Sequence, residues 1–300
     1  MRNRMRALCY RYQADLIQAF ESIDGGAFRK DPVNHMNTVM NTAVTGITGV
    51  IDDGRVIERG GINVSEVTGP LSTGMARTLQ LDITDTDSQF YAVGISAVIH
   101  PRNPFVPTMH FNWRYFEVGE TVWWFGGGAD LTPYYIIEAD CQLFHTAQKV
   151  ACDAVDTALY PVLKAAADAY FYLPFRQEHR GVGGTFYMKK ADMPPEALYE
   201  LAACGLASIW PGYGSIMQER YTTPYTKAHQ NWQWYRRGRY VEFNLLQDVG
   251  TQFGLNSGGR TESILVSLPR HALWEYDRVV PADSPESKLM AVVQSPRDWV

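Results

Sequence analysis

Within the run TMHFNWRYFEV, residues 108–118, His110, Asn112 and Arg114 recur at spacing two, which on an extended chain points all three to one face. An imidazole exchanges protons near neutral pH, and a guanidinium grips a carboxylate through paired, charge-assisted hydrogen bonds. A strand buried for packing alone would alternate apolar with solvated residues, so one that sets these groups side by side reads as a site. Just downstream, WWFGGGADLTP places a triple glycine, Gly126 to Gly128, ahead of Asp130. No G-x-G-x-x-G pattern and no following Lys-Ser/Thr supports a phosphate loop. The glycines read instead as a turn or bulge that lets a ligand approach the backbone. Pattern alone leaves Asp130 two readings: a carboxylate delivered to the site, or the N-cap of a helix after Leu131-Thr132-Pro133.

The histidines offer a second chemistry. His100 and His110 flank a proline-rich loop, His145 lies in an alanine-rich helical stretch, and His179 falls between Arg176 and Arg180. Convergence of His100, His110 and His145 would make a divalent-metal site. The chain has no H-E-x-x-H or other compact ligand motif, so hydrogen-bonded histidines are the default and no metal requirement is expected. Residues 235–269 add Arg236, Arg237, Arg239, Asp248 and Gly258-Gly259-Arg260. A solvated strand edge and a plain hairpin turn would explain them. Arginine beside paired glycines would equally offer a guanidinium and backbone N–H groups to a carboxylate. Aromatic residues at positions 123, 124, 232, 234, 235 and 240 read as core, or as walls for a flat aromatic ligand.

Positioning these groups falls mainly to a sheet. The spacing of Leu8, Tyr12, Leu16 and Phe20 predicts a first helix that stops at Asp24-Gly25-Gly26, followed by a loop around Asp31-Pro32. Strands are predicted over 44–51 and 55–67, joined by Asp52-Asp53-Gly54, then over 90–99, 108–118 and 121–125. Strands in succession without intervening helices make the sheet largely antiparallel. Helical patterns cover residues 135–160, 161–173 and 194–213 and the segment on to Trp234, with short strands at 181–187, 240–246 and 263–268. The reading is α+β, in one domain of 300 residues.

Composition excludes several classes. A net charge of −5 and the lack of a basic stripe beyond Arg236, Arg237 and Arg239 argue against nucleic-acid binding. Cys9, Cys141, Cys152 and Cys204 form no C-x-x-C pair and read as reduced thiols. No run of about 18 apolar residues predicts a membrane span. The Arg-rich opening resembles a targeting presequence, but Asp15 and Glu21 and the helical spacing favour a packed helix.

The stretches VIHPRNPFVPTMHFNWRYF, WWFGGGADLTP, RGVGGTFY, YRRGRYVEFNLL and FGLNSGGRTESILVSLP together resemble the oxygen-dependent coproporphyrinogen III oxidases. The likeness runs from the first helix to the closing Arg297-Asp298-Trp299-Val300. It implies a large antiparallel sheet flanked by helices on both faces, and a homodimer formed through residues 240–275. The activity implied is aerobic oxidative decarboxylation of two propionates of coproporphyrinogen III to vinyl groups in haem biosynthesis. The products would be protoporphyrinogen IX, CO2 and H2O2, with O2 as co-substrate and no organic cofactor.

The resemblance also assigns residues. His110 matches the family's proton donor, and Asp130 would accept pyrrole N–H groups and help remove a pyrrole proton. Ser96, Asn112, Gly258 and Gly259 match substrate contacts. Arg114 and Arg260, with Arg180 and Arg237, would anchor propionates, and Asp248 belongs to the same binding set. Two departures stand out. Family members usually read Asp-Arg-Gly where this chain reads Asp248-Val249-Gly250. Members proposed to bind metal carry histidines where it has Phe175 and Leu143. Because the match starts within about 10 residues of Met1, where a targeting segment needs roughly 15–30, a cytoplasmic enzyme is expected. A tetrapyrrole carrier would use the same arginines, but the presence of both His110 and Asp130 favours the enzyme.

Overall fold

The computed structural model describes residues 1–38, 41–71, 73–78, 81, 88–119, 121–256 and 259–300. The chain opens with α1 (Arg2–Asp24), then β1 (Arg29–Asn37), β2 (Thr42–Asp52), β3 (Ile57–Pro70) and the short α2 (Thr73–Thr78). Strands β4 (Gln89–Pro101), β5 (Thr108–Val118) and β6 (Val122–Thr132) follow, then α3 (Glu138–Asp153) and α4 (Leu159–Tyr170). A small ribbon of β7 (Tyr172–Leu173) and β8 (Glu178–His179) leads to β9 (Gly184–Lys190) and α5 (Pro195–Ile209). After a π-helical turn at Trp210–Gly214 come α6 (Ser215–Arg220), α7 (Lys227–Leu246), α8 (Val249–Asn256), α9 (Thr261–Leu265) and α10 (Pro285–Gln294).

The main sheet has seven strands in the order β1-β2-β3-β4-β5-β6-β9, every neighbouring pair antiparallel. Period-two alternation splits its central strands cleanly. Tyr91, Val93, Ile95, Ala97 and Ile99 of β4 and Met109, Phe111, Trp113 and Tyr115 of β5 enter the main core. There they meet Leu8, Leu16, Ile17 and Phe20 of α1 and Leu198, Leu201 and Leu206 of α5. The opposite face carries Ser96, His100, His110, Asn112 and Arg114, and α7 and α9 pack over parts of it. An α+β sheet with helices on both faces is therefore what forms. No helix among the described residues is long and apolar enough to cross a membrane.

Three expected elements differ. The loop around Asp31-Pro32 is edge strand β1, in which Pro32 faces Ile47 of β2; an edge position tolerates a residue with no N–H to donate. Residues 240–246 are the last turns of α7, not a strand. That helix is started by a capping box, the Thr226 side chain accepting from the His229 backbone while the His229 ring accepts from the Thr226 N–H. Residues 263–268 hold the end of α9 and a turn, likewise not a strand. In both places aromatic and β-branched content suggested extension, and tertiary burial of a helix face prevailed.

Candidate active site

Register sets the site. His110 of β5 lies opposite Val98 of β4 and Asp130 of β6; Asn112 lies opposite Ser96 and Gly128; Arg114 lies opposite Gly94 and Gly126. Asp130 is thus a mid-strand residue, and its N-cap reading falls away. The triple glycine is no turn either: it runs within β6, whose register against β9 slips between Phe125 and Gly127. Gly126 has a different use. A Cβ there would lie 2.8 Å from Nε of Arg114, so the bare backbone lets the guanidinium lie across the strand. At Gly128 the backbone has φ 145°, and a Cβ would stand 1.9 Å from the Thr185 carbonyl oxygen. Only glycine brings β9 this close.

At the centre, Nδ1 of His110 is 2.8 Å from Oδ1 of Asp130. Arg180, just after β8, donates to both oxygens of that carboxylate, from Nη2 at 2.7 Å and Nε at 3.1 Å. Its Nη1 donates to Oδ1 of Asn244 on α7 at 2.9 Å. The guanidinium is enclosed by the rings of Phe171, Tyr240 and Phe243, at 4.4, 4.6 and 4.6 Å. Burial alone would raise the Asp130 carboxyl, but the Arg180 charge and the hydrogen bonds from His110 and Arg180 hold it below the ordinary carboxylate range. While Asp130 is buried, the His110 side chain keeps 24% of its surface exposed. Its Nε2 has no hydrogen-bond partner among the described residues.

Four residues along β5 from His110, Arg114 donates to Oδ1 of Asn112 at 2.9 Å and makes no ion pair among the described residues. Burial without a paired carboxylate lowers its pKa. A half-buried cation with no direct ion pair, and only the more distant Asp248 to offset it, is poised for an anionic ligand. Asp248 closes this end: its carboxylate accepts from Tyr170 at 2.8 Å and from the N–H and hydroxyl of Thr251 at 2.7 and 2.8 Å. Burial would raise it, but the Thr251 and Tyr170 bonds and the nearby His110 keep it low.

Other expected site residues lie elsewhere. Arg180 and Arg237 are both buried with their donors engaged, so neither guanidinium is offered to a ligand. Arg237 pairs with Glu58 and also donates to Tyr134 and the Pro101 carbonyl, because α7 is a helix that drives this face into the interior. Arg236 pairs with Glu178, and Arg239 with Glu242, rather than lining a solvated edge. Arg260 is held by Asp31 of β1 at 2.6 Å, beside a cavity of about 610 Å³. That is four strands from His110, roughly 19 Å at the usual strand spacing. Gly259 donates to the Gly254 carbonyl at 2.9 Å, whereas Gly258 lies outside the described residues.

The proposed metal ligands do not meet. His145 lies in the core on the other side of the sheet, bonded to Tyr160 and the Val182 carbonyl. His100 is bonded through both nitrogens to Thr108 and the Ser267 carbonyl. His179 bonds the Val293 carbonyl. Among the described residues, no group of three His, Cys, Asp or Glu is arranged to hold a metal ion. Asn244, Phe171 and Phe243 were missed from the sequence, and Tyr240 was read as core or as a wall for a flat ligand, not as part of an arginine cage. Their signal was present, since Tyr240, Phe243 and Asn244 follow the i, i+3, i+4 spacing of one helix face. Reading that run as a strand scattered them to both faces.

Fold and site define an α+β enzyme with an acid–base pair beside an anion-seeking arginine. The chain belongs to the coproporphyrinogen III oxidase family, whose model matches residues 4–299. It is 43% identical to an oxygen-dependent coproporphyrinogen-III oxidase of Drosophila melanogaster, over 100% of this chain and 78% of that protein. It is 41% identical to coproporphyrinogen-III oxidase 1, chloroplastic, of Arabidopsis thaliana, over 100% of this chain and 80% of that protein. A Prochlorococcus marinus oxygen-dependent coproporphyrinogen-III oxidase is 42% identical, over 99% of this chain and 90% of the relative.

Proposed function

We propose that this chain, acting as one domain, converts coproporphyrinogen III to protoporphyrinogen IX in haem biosynthesis. For each of two propionates, one carboxylate, one O2 and one proton become one vinyl group, one CO2 and one H2O2. The observation that carries this reading is the Arg114 guanidinium, which makes no ion pair among the described residues, four residues along β5 from the His110–Asp130 pair. A propionate held by Arg114, with Ser96 and Asn112 beside it, sets a pyrrole near the acid–base pair. The pair takes the pyrrole N–H proton and makes the ring electron-rich enough to attack O2. The ring-bound peroxide then removes a propionate hydrogen, and loss of CO2 leaves the vinyl group. Asp248 lies beside the remainder of the macrocycle, and Gly258, Gly259 and Arg260 would serve a propionate only if Arg260 exchanged its pair with Asp31 for it. Deprotonated pyrrole supplies the electrons to O2 in this scheme, which uses neither an organic cofactor nor a resident metal.

Two further parts of the reading have their own support. A homodimer through residues 240–275 would cover Leu245, Leu246, Val249, Leu255 and Trp274, all left exposed on the single chain. Leu246→Glu is expected to shift the sedimentation coefficient to that of a monomer. Four free cysteines, three of them buried, suit a reducing compartment, and a cytoplasmic placement is checked by fractionation. The activity test is aerobic turnover of coproporphyrinogen III by chelator-treated protein, read as protoporphyrin fluorescence after oxidation, with an anaerobic control. Product that needs O2 and survives chelation supports the oxidase. Tight binding without product would replace it with a carrier, and activity restored by one added divalent ion would replace the metal-free route.

A further inference from the structure

We propose that Asp130 never touches the substrate: it is a positioning residue that, clamped by Arg180 and Asn244, keeps a proton on His110 Nδ1 and leaves Nε2 as the exchanging atom. The inference deepens the oxidase reading and rests on it for its kinetic arm. Asp130 is 1% exposed, and each oxygen is already engaged: Oδ1 by Arg180 Nη2 at 2.7 Å and His110 Nδ1 at 2.8 Å, Oδ2 by Arg180 Nε at 3.1 Å. A guanidinium has only donors and an ionised carboxylate only acceptors, so the sole open question is the His110 tautomer.

Nδ1 lies 2.8 Å from the Asp130 oxygen but 3.3 Å from Arg180 Nη2. With a hydrogen on Nδ1, the short contact is a charge-assisted hydrogen bond and the long one a minor repulsion. With a lone pair there, a ring nitrogen would face a carboxylate oxygen at hydrogen-bond distance with nothing between them. The shorter contact decides for Nδ1–H. Asn244 takes an N–H of Arg180 Nη1, and the three rings around the guanidinium stop it from swinging away. For Asp130 to take a pyrrole proton itself, the carboxylate would have to leave Arg180 as an uncompensated buried cation.

Proton flow then runs through one atom. Neutral His110 accepts the pyrrole N–H proton on Nε2 and becomes imidazolium, stabilised by the carboxylate behind it. The Nε2 proton passes to the peroxide oxygen that leaves as H2O2, and the solvent proton consumed in the overall reaction restores the pyrrole N–H. Asp130 and Arg180 change protonation at no step.

Two measurements test this. Nitrogen-15 NMR of histidine-labelled wild-type protein, with His110 assigned by its loss in His110→Gln, is expected to show an Nδ1–H tautomer with a downfield proton. An Nε2–H tautomer overturns the proposal, and this arm stands whether or not the chain turns over coproporphyrinogen. The second is a double-mutant cycle on kcat with His110→Ala, Asp130→Asn and the double variant. Each single change is expected to lower kcat roughly 10²- to 10⁴-fold, with the double variant no slower than His110→Ala. Losses that multiply would make Asp130 a base in its own right and overturn the proposal.

Discussion

Two buried arginines under α7 differ in what their partners leave over. Arg180 and Arg237 are each almost wholly enclosed, each pairs with a buried carboxylate, and each contacts a hydroxyl-bearing or aromatic neighbour. From Arg237 one branch runs inward through protein groups, while its partner Glu58 also meets Nδ1 of the half-exposed His271 at 2.8 Å. Arg237 Nε–H donates to Tyr134, whose hydroxyl is 2.5 Å from that of Thr108, which in turn reaches His100 Nδ1 at 3.0 Å. His100 Nε2–H ends the chain on the Ser267 carbonyl at 2.8 Å. Around Arg180 the corresponding chain runs through Asp130 to His110 and stops at a partly exposed ring nitrogen. The inward branch from Arg237 ends on a backbone carbonyl and serves as an anchor, whereas the Arg180 chain ends on the ring that shares a face of β5 with Arg114.

The largest effect that would break this distinction belongs to the anchor. Arg237→Met leaves the buried Glu58 with the half-exposed His271 as its remaining ion-pair partner among the described residues, and is expected to lower stability by about 3–5 kcal/mol. Chemical denaturation measures the loss. The protein that remains folded should retain its KM for coproporphyrinogen, and a KM raised in proportion would mean that Arg237 reaches the substrate after all.

Arg114 should behave in the opposite way. Its cation is partly desolvated and makes no ion pair among the described residues, so Arg114→Leu removes a desolvation cost and should leave the melting temperature unchanged or higher. The same change removes a charge-assisted bond of about 1.5–3 kcal/mol to a propionate, which raises KM roughly 10- to 100-fold. Steady-state kinetics and a thermal melt on one preparation read both quantities. A drop in stability without a change in KM would turn Arg114 into a second anchor.

This contrast explains which parts were legible in the sequence. Strands β2 to β5 and the start of β6 were readable because one face of each is core, and the period of two survives even where His110, Asn112 and Arg114 occupy the other face; the glycines hid the rest of β6, which runs on to Thr132. The roles of the arginines were not readable. Arg114, Arg180 and Arg237 are alike in a sequence; they differ in which carboxylate the fold brings to them, and Glu58 and Asp130 come from strands far away along the chain. Nor did composition reveal that residues 240–246 continue a helix, since Tyr240, Val241 and Phe243 favour a strand until Arg180 and its cage are in place. Edge strand β1 was hidden by Pro32, which signals a loop wherever its pairing partner is unknown.

Buried histidines give a smaller effect, on the opposite side of the sheet. Burial, reinforced by the Lys164 charge, pushes His145 down to about 3, so the folded protein keeps the ring neutral. The unfolded chain takes up a proton as pH falls below the ordinary value of 6.5. Stability from this residue is therefore complete above pH 6.5 and declines on acidification, until the folded ring itself titrates near about 3. The slope is about 1.4 kcal/mol per pH unit, or about 2 kcal/mol between pH 6.5 and 5. Urea denaturation of His145→Asn over that interval should show a slope shallower by this amount, whatever the variant's absolute stability. An unchanged slope would mean that His145 is already charged in the folded state.

The smallest expected effect tests how finely the open side is built. Gly126 sits beneath the Arg114 side chain, where an added Cβ would approach Nε to 2.8 Å, Cζ to 3.0 Å and Nη2 to 3.1 Å. These are the far end of a flexible side chain, so Gly126→Ala should displace the guanidinium by a few tenths of an ångström and leave the strand in place. A shifted charge still binds a carboxylate, but its paired geometry suffers, and half of a bond worth about 1.5–3 kcal/mol corresponds to a rise in KM of roughly 3- to 10-fold. Because the His110–Asp130 register is set two rows away, kcat should hold. If kcat falls while KM stays constant, the guanidinium serves the reacting pyrrole rather than a carboxylate beside it, and the anion-binding role given to Arg114 fails.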